Sequence, residues 1–355
     1  MKRILVTGVG GAAAMNFIAS LRMAEESFYI VGVDINYYHL ACADVEARYL
    51  VPPCDHSDYL NKLNEIISQE KIDLVHPQPD VEVAFLAEHR DQVATKMFLP
   101  STEAIRICHD KMRCNQVLAQ ADIPVPYSVH LETLDDLPEA FMLIAQRSRI
   151  VWVRAIRGAG SRAALPVSTC LQAKGWISYW IEEKGLQPRD FMLSEYLPGR
   201  EFAFQSIWYQ GELITSMTRE RLEYLMGNLM PSGQSSSPSV ARTVHREDVN
   251  EVATRAILAV DSEPHGVYCV DLKENAVGIP CVTEINPGRF FTTSNFFSSA
   301  GCNMPYYYVC LALGNPIPSL PKYNPLDEGL YWVRGVDRIP KLFREEQWKT
   351  LCKSW

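Results

Sequence analysis

The first hundred residues alternate between short apolar strands and helical stretches, and this rhythm constrains the fold more than any other feature. Ile4-Leu5-Val6-Thr7 reads as a buried strand, glycines follow, and a helix is expected from about Ala12 to Met23. Tyr29 to Asp34 is a second strand, Leu60 to Gln69 repeats with helical period, and Ile72 to Pro77 is a third strand stopped by proline. Such β-α-β-α-β alternation predicts a parallel sheet with right-handed crossovers, the α/β class. Gly8-Val9-Gly10-Gly11-Ala12-Ala13 fits G-x-G-x-x-A between the first strand and helix, and Asp34 closes the next strand. That pattern suits a dinucleotide, with the acid on ribose hydroxyls. It equally suits a tight strand-to-helix turn that binds nothing, and the sequence leaves both open.

Charge and apolar patterning exclude several classes. With 34 basic against 42 acidic residues the net charge is -8, which disfavours a general electrostatic hold on nucleic acid or an anionic membrane. No apolar run approaches the ~18–20 residues that span a bilayer. Met1 to Val6 starts like a signal peptide, but Gly8, Gly10 and Gly11 interrupt the run before any cleavage-like end. The ten cysteines are scattered, with no Cys-x-x-Cys pair and no His at zinc-finger spacing. They read as small core residues of a reducing, cytoplasmic protein.

The punctuation changes at Pro100. Ser101-Thr102-Glu103 caps one helix, and Asp110-Lys111 leads into another that ends before Ile123-Pro124-Val125-Pro126. Residues 150–154 and 164–168 read as a hairpin around a Gly-rich loop, and 202–208 and 212–217 as a second around Gln210-Gly211. Residues 227–239 are the one low-complexity stretch, either a dispensable loop or a lid.

The densest chemistry lies further on. Val267 to Leu272 and Pro280 to Asn286 read as two strands joined by a turn at Gly278. A hairpin centred between Val277 and Gly278 sets Asp271 opposite Glu284, and alternation puts Asn286 on the same face as Glu284. Two carboxylates and an amide among Val, Ile and Cys are costly to bury without a cation. Oxygen donors without thiol or imidazole suit magnesium, with manganese as its substitute.

At this point the sequence resembles the ATP-grasp superfamily, especially its carbamoyl-phosphate-synthase-like branch. The resemblance runs from about Pro100 to Pro318 and ends in Glu284-Ile285-Asn286-Pro287-Gly288-Arg289, and the residues before it match the family's pre-ATP-grasp domain. It implies a Rossmann-like pre-ATP-grasp domain over 1–105, an α+β ATP-grasp domain over 106–320 with a lid subdomain near 115–193, and a C-terminal segment over 321–355. It implies that Asp271, Glu284 and Asn286 hold magnesium against ATP. Lys111 resembles the lysine that reaches the phosphates, and Arg154 with Gly158, Gly160 and Ser161 the strand and loop that cover them. Glu195, Tyr196, Leu197 and Glu201 resemble the hinge that takes adenine and ribose. Arg154 stands where many members carry Lys, Asp271 where many carry Glu or Gln, and Gly288 is an extra residue before Arg289.

The activity so implied is an ATP-dependent carboxylate–amine or carboxylate–thiol ligase of small molecules, which forms an acyl phosphate and releases ADP and phosphate. Lys111, Arg154 and Arg289 would be its catalytic cations. Arg289 would hold the acyl phosphate, and Gly10, Gly11 and Asn16 would help form the acceptor pocket. Phe290, Phe291, Phe296 and Phe297 either wall that pocket or belong to the core. The segment carrying Trp332, Trp348 and Trp355 reads as a packing arm or a homodimer contact. Two other classes remain in view. One is an NAD-dependent oxidoreductase built on Gly8 to Ala13, and the other is a non-catalytic ATP-binding protein.

Overall fold

The computed structural model describes residues 1–158, 163–235, 237–336 and 341–344, with the side chains of 341–343 left aside. Three sheets organise them. The first is parallel and five-stranded, in the order Ala47–Leu50, Phe28–Asp34, Lys2–Thr7, Leu74–His76, Lys96–Met97. Its central strands carry Ile4, Leu5, Val6, Ile30, Val31, Leu74 and Val75, all buried, as expected when helices cover both faces. Helices Ala12–Arg22 and Tyr59–Glu70 supply much of that cover. The strands Ala47–Leu50 and Lys96–Met97 escape the sequence reading because they are short and lie at the sheet edges, where a strand needs no continuous apolar run.

The second sheet has four antiparallel strands, ordered Ser128–His130, Phe191–Glu195, Val151–Ala155, Leu165–Val167. The third has seven, ordered Pro280–Pro287, Gly266–Glu274, Glu201–Tyr209, Glu212–Tyr224, Pro238–Thr243, Leu330–Val333, Lys341–Arg344. One face of this sheet packs Phe202, Phe204, Tyr268 and Val270 against helix Glu247–Val260. The other carries Ala203, Met217 and Cys269 into a core shared with the first unit through Phe17, Phe290 and Tyr308. Trp332 is buried in that same core, on a strand paired with Pro238–Thr243. Trp348 and Trp355 lie outside the described residues.

The order of the parallel sheet reverses between strands Lys2–Thr7 and Leu74–His76. Chains leave these two strands in opposite directions, which opens a crevice at their carboxyl ends. The segment that follows His76, Gln78-Pro79-Asp80, borders the large cavity between the other two sheets. No helix among the described residues is long and apolar enough to cross a membrane.

Candidate active site

The hairpin Gly266–Glu274/Pro280–Pro287 places Asp271 directly opposite Glu284, with Asn286 opposite Cys269. An irregularity between Asp271 and Leu272 sets that register. Asn286 donates to Asp271 Oδ2 at 3.3 Å, so the three predicted oxygen donors converge. They line a cavity of about 900 Å³ bounded by Gln78 and Asp80, by Trp152 and Arg154 of the four-stranded sheet, and by Glu201 and Arg221 of the seven-stranded one.

Cations surround the acids. Lys111 opens helix Lys111–Gln120 behind the cap Asp110, whose carboxylate accepts the Arg113 N–H. Its Nζ lies 3.4 Å from Glu284 Oε1 and donates to the Gly158 carbonyl at 2.8 Å. Arg154, projecting from strand Val151–Ala155, donates to Glu284 Oε2 at 3.1 Å and to the Thr283 carbonyl at 3.3 Å. Burial pushes the Glu284 carboxyl up, but Lys111, Arg154 and Arg289 outweigh it and hold the group at about 2. Burial lowers Lys111, and Glu284 counters that. Asp271 is raised, chiefly by burial and further by the Glu284 charge, although Arg221 pairs with it. Two carboxylates that repel one another across a hairpin, with oxygen-only donors, fit a hard divalent cation that retains water.

Arg289 turns back to Asn286 Oδ1 and to both Asp80 carboxylate oxygens. Gly288 makes this possible: its φ is +80°, and a Cβ there would meet Val83 Cγ1 at 2.8 Å. The left-handed backbone at Gly288 thus sits between Asn286 and Arg289, both of which line the cavity. Sequence reasoning missed Asp80 and Arg221. Asp80 begins helix Asp80–Glu88 at the switch point, and Pro77-Gln78-Pro79 ahead of it was the available signal.

The other end of the cavity is less charged. Glu195, Tyr196 and Leu197 line it beside Met192, Leu118, Leu272 and Val282, an apolar slot suited to a flat base. Glu195 accepts the Tyr127 N–H at 3.0 Å. Glu201 accepts from Lys273, Tyr224 and Gln234. Gln234 and Ser235, from the stretch read as loop or lid, line the same cavity. Gly158 also lines it, whereas Gly160 and Ser161 lie outside the described residues.

Gly10, Gly11 and Asn16 are not among the lining residues, although Ala13 is. The Gly-rich turn is filled by the protein itself. A Cβ at Gly8 would sit 2.3 Å from Pro79 Cγ, and one at Gly10 2.3 Å from His39 Cβ. The Asp34 carboxylate accepts the N–H groups of Gly10 (3.1 Å) and Asn36 (3.0 Å), so it is engaged within the turn. Asn16 donates to the Ala12 carbonyl within its own helix. Packing accounts for these glycines without a dinucleotide. Phe290, Phe296 and Phe297 are core residues, while Phe291 also borders the cavity.

Comparison with solved structures settles the fold. The L-amino acid ligase of Bacillus licheniformis aligns over 94% of this chain and 79% of its own, at 13% identity and a TM-score of 0.69. The chain has an ATP-grasp fold. The biotin carboxylase domain dimer of Hydrogenobacter thermophilus 2-oxoglutarate carboxylase, solved with MgADP and bicarbonate, aligns over 94% and 73% at 16% identity and a TM-score of 0.70. Carboxyaminoimidazole ribonucleotide synthase of Aspergillus clavatus, solved with ATP, aligns over 94% and 81% at 15% identity and a TM-score of 0.68. Residues 4–98, the parallel unit ahead of the ATP-grasp sheets, match the family model described as PylC-like, N-terminal domain. No curated protein matches in sequence.

Proposed function

We propose that the protein is an ATP-dependent ligase that joins a small-molecule carboxylate to an amine, or to a thiol, with release of ADP and phosphate. One observation carries the reading. Asp271 and Glu284 face each other on adjacent strands and share a single cavity with Lys111, Arg154 and Arg289, while an apolar slot for a base closes its far end. The ligase reading is supported by the names of the similar structures, among them an L-amino acid ligase and a synthase solved with ATP.

In this reading Tyr196 and Leu197 bind adenine, and Glu195 and Glu201 stand nearest the ribose. Lys111 and Arg154 lie against the triphosphate, Arg154 with the two parallel N–H groups that match phosphate oxygens. Asp271, Glu284 and Asn286 would hold magnesium, or manganese in its place, which neutralises phosphate charge when bound. Transfer of the γ-phosphoryl group to a carboxylate needs positioning and charge neutralisation more than covalent help. Arg289, clamped by Asp80, is placed to hold the acyl phosphate while the amine attacks its carbonyl carbon and phosphate leaves. Gln234 and Ser235 help exclude water that would hydrolyse the intermediate. The three sheet units correspond in this account to a PylC-like first domain, a lid and a nucleotide-binding body, and the enzyme works on soluble metabolites in the cytoplasm as a monomer or a homodimer.

The test is ADP and phosphate release with magnesium and ATP across amino acids and small carboxylic acids, singly and in pairs. Release that requires a carboxylate together with an amine or thiol supports the reading. A thermal shift with NAD and none with magnesium-ATP overturns it.

A further inference from the structure

The row of side chains that begins with Glu284 and Asp271 continues across the sheet. Ala203 lies beside Asp271, Arg219 beside Ala203 and Thr243 beside Arg219, all on one face. Ala203 puts only a methyl group between the acids and the guanidinium. At about 4.8 Å between strands, the Arg219 backbone lies roughly 10 Å from that of Asp271.

Arg219 is fully buried, and none of its three guanidinium nitrogens has a hydrogen-bond partner. Its neighbour Arg221 is paired with Asp271 and leaves only Nε without a partner, so most of the deficit belongs to Arg219. The rings of Phe291 and Phe297 flank the guanidinium at 4.7 and 5.1 Å. Ring faces recover part of the lost hydration but supply no acceptor for the N–H groups. Burial, with Arg221 and Arg334 adding repulsion, brings Arg219 down to about 9. Arg334 donates to the Thr292 carbonyl at 2.9 Å and leaves its Nη2 buried without a partner. On the same loop the hydroxyls of Thr293 and Ser294 are buried and unpartnered too.

Buried donors thus accumulate here and, among the described residues of that face, outnumber the one unpartnered acceptor, Gln205 Oε1, an excess that is the complement of a small anion. The position is too far along the row to serve the carboxylate that is phosphorylated beside Glu284. Phe291 lines the cavity and stands against both Arg219 and Arg221, so its ring lies between the cavity and the unpartnered guanidinium. We propose that Arg219, with Arg334 and the hydroxyls of Thr293 and Ser294, binds a second carboxylate of a substrate, one that is not activated. It belongs either to an amino acid serving as the amine or to the distal end of a dicarboxylic acid. This assignment rests on the ligase reading and narrows its substrates to molecules with a spare carboxylate.

Thermal unfolding of the full chain with malonate as probe, against sodium chloride at equal ionic strength, tests it without turnover. The wild type gains a saturable rise of a few degrees, and Arg219→Met gains none. Without malonate, Arg219→Met melts no lower than the wild type, because an unpaired buried charge has been removed. Alanine against alaninamide, and succinate against its monoamide, distinguish the two sources. The magnesium-ATP shift persists in Arg219→Met, so failure of nucleotide binding is read separately. Equal malonate responses in wild type and variant overturn the proposal, as does an Arg219→Met protein that melts far lower while the wild type ignores malonate. If Arg219→Met does not fold, Arg334→Gln combined with Thr293→Val must raise the half-saturating malonate concentration at least tenfold, and an unchanged value refutes the site.

Discussion

Glu284 is the residue on which the site's electrostatics turn, and Glu284→Gln measures how much. The carboxyl is held at about 2 against an ordinary 4.5. A depression of that size contributes about 3 kcal/mol to stability at neutral pH. The sign follows from which state binds the proton more tightly. The unfolded chain protonates Glu284 first as pH falls, so the contribution is whole above about pH 5 and drains away between about 4.5 and 2. By pH 3 about 2 kcal/mol of it is gone. The side chain is only 24% exposed, so solvent screening removes little of this. Urea unfolding at pH 7 and pH 3, for wild type and Glu284→Gln without nucleotide, isolates the residue as a difference of differences. The wild type is expected to lose about 2 kcal/mol more than the variant between the two pH values. Equal losses would mean that Lys111 and Arg154 do not hold Glu284 in solution, and the account of a pre-charged phosphate cradle would fail with them.

Further outcomes follow from the same geometry. In the proposed site Lys111→Met and Arg154→Met would each remove a charge-assisted contact to phosphate, so calorimetry should show magnesium-ATP affinity falling roughly 10- to 100-fold. Asp80→Asn frees Arg289 from its clamp, and kcat should drop by about tenfold or more while ATP affinity stays near the wild-type value. Gly288→Ala forces a side chain into a left-handed backbone position against Val83, and thermal unfolding should register a loss of about 1–3 kcal/mol together with loss of turnover.

Much of this was legible in the chain. The opposition of Asp271 and Glu284 follows from a turn centred between Val277 and Gly278, but the inner pairs, Leu272 with Val282 and Glu274 with Pro280, are centred on Val277, and the irregularity after Asp271, which no local pattern announces, restores the expected pair. The parallel unit was legible from its period, since strands buried on both faces write continuous apolar runs. What stayed hidden was long-range. Asp80 and Arg289 are 209 residues apart, and Arg221 reaches Asp271 across 50, so no local spacing announces either pair. The glycines at 8 and 10 looked like a ligand signature because sequence shows that a side chain is missing, not what fills the gap. Here His39 and Pro79 fill it.

The central claim is that one cleft grips a nucleotide triphosphate through Lys111, Arg154 and the acidic hairpin. Isothermal titration of the protein with magnesium-ATP tests it most directly. One nucleotide bound per chain, with binding weakened at least tenfold in both Lys111→Met and Glu284→Gln, is the expected result. No heat with the wild type, or undiminished affinity in both variants, would contradict it.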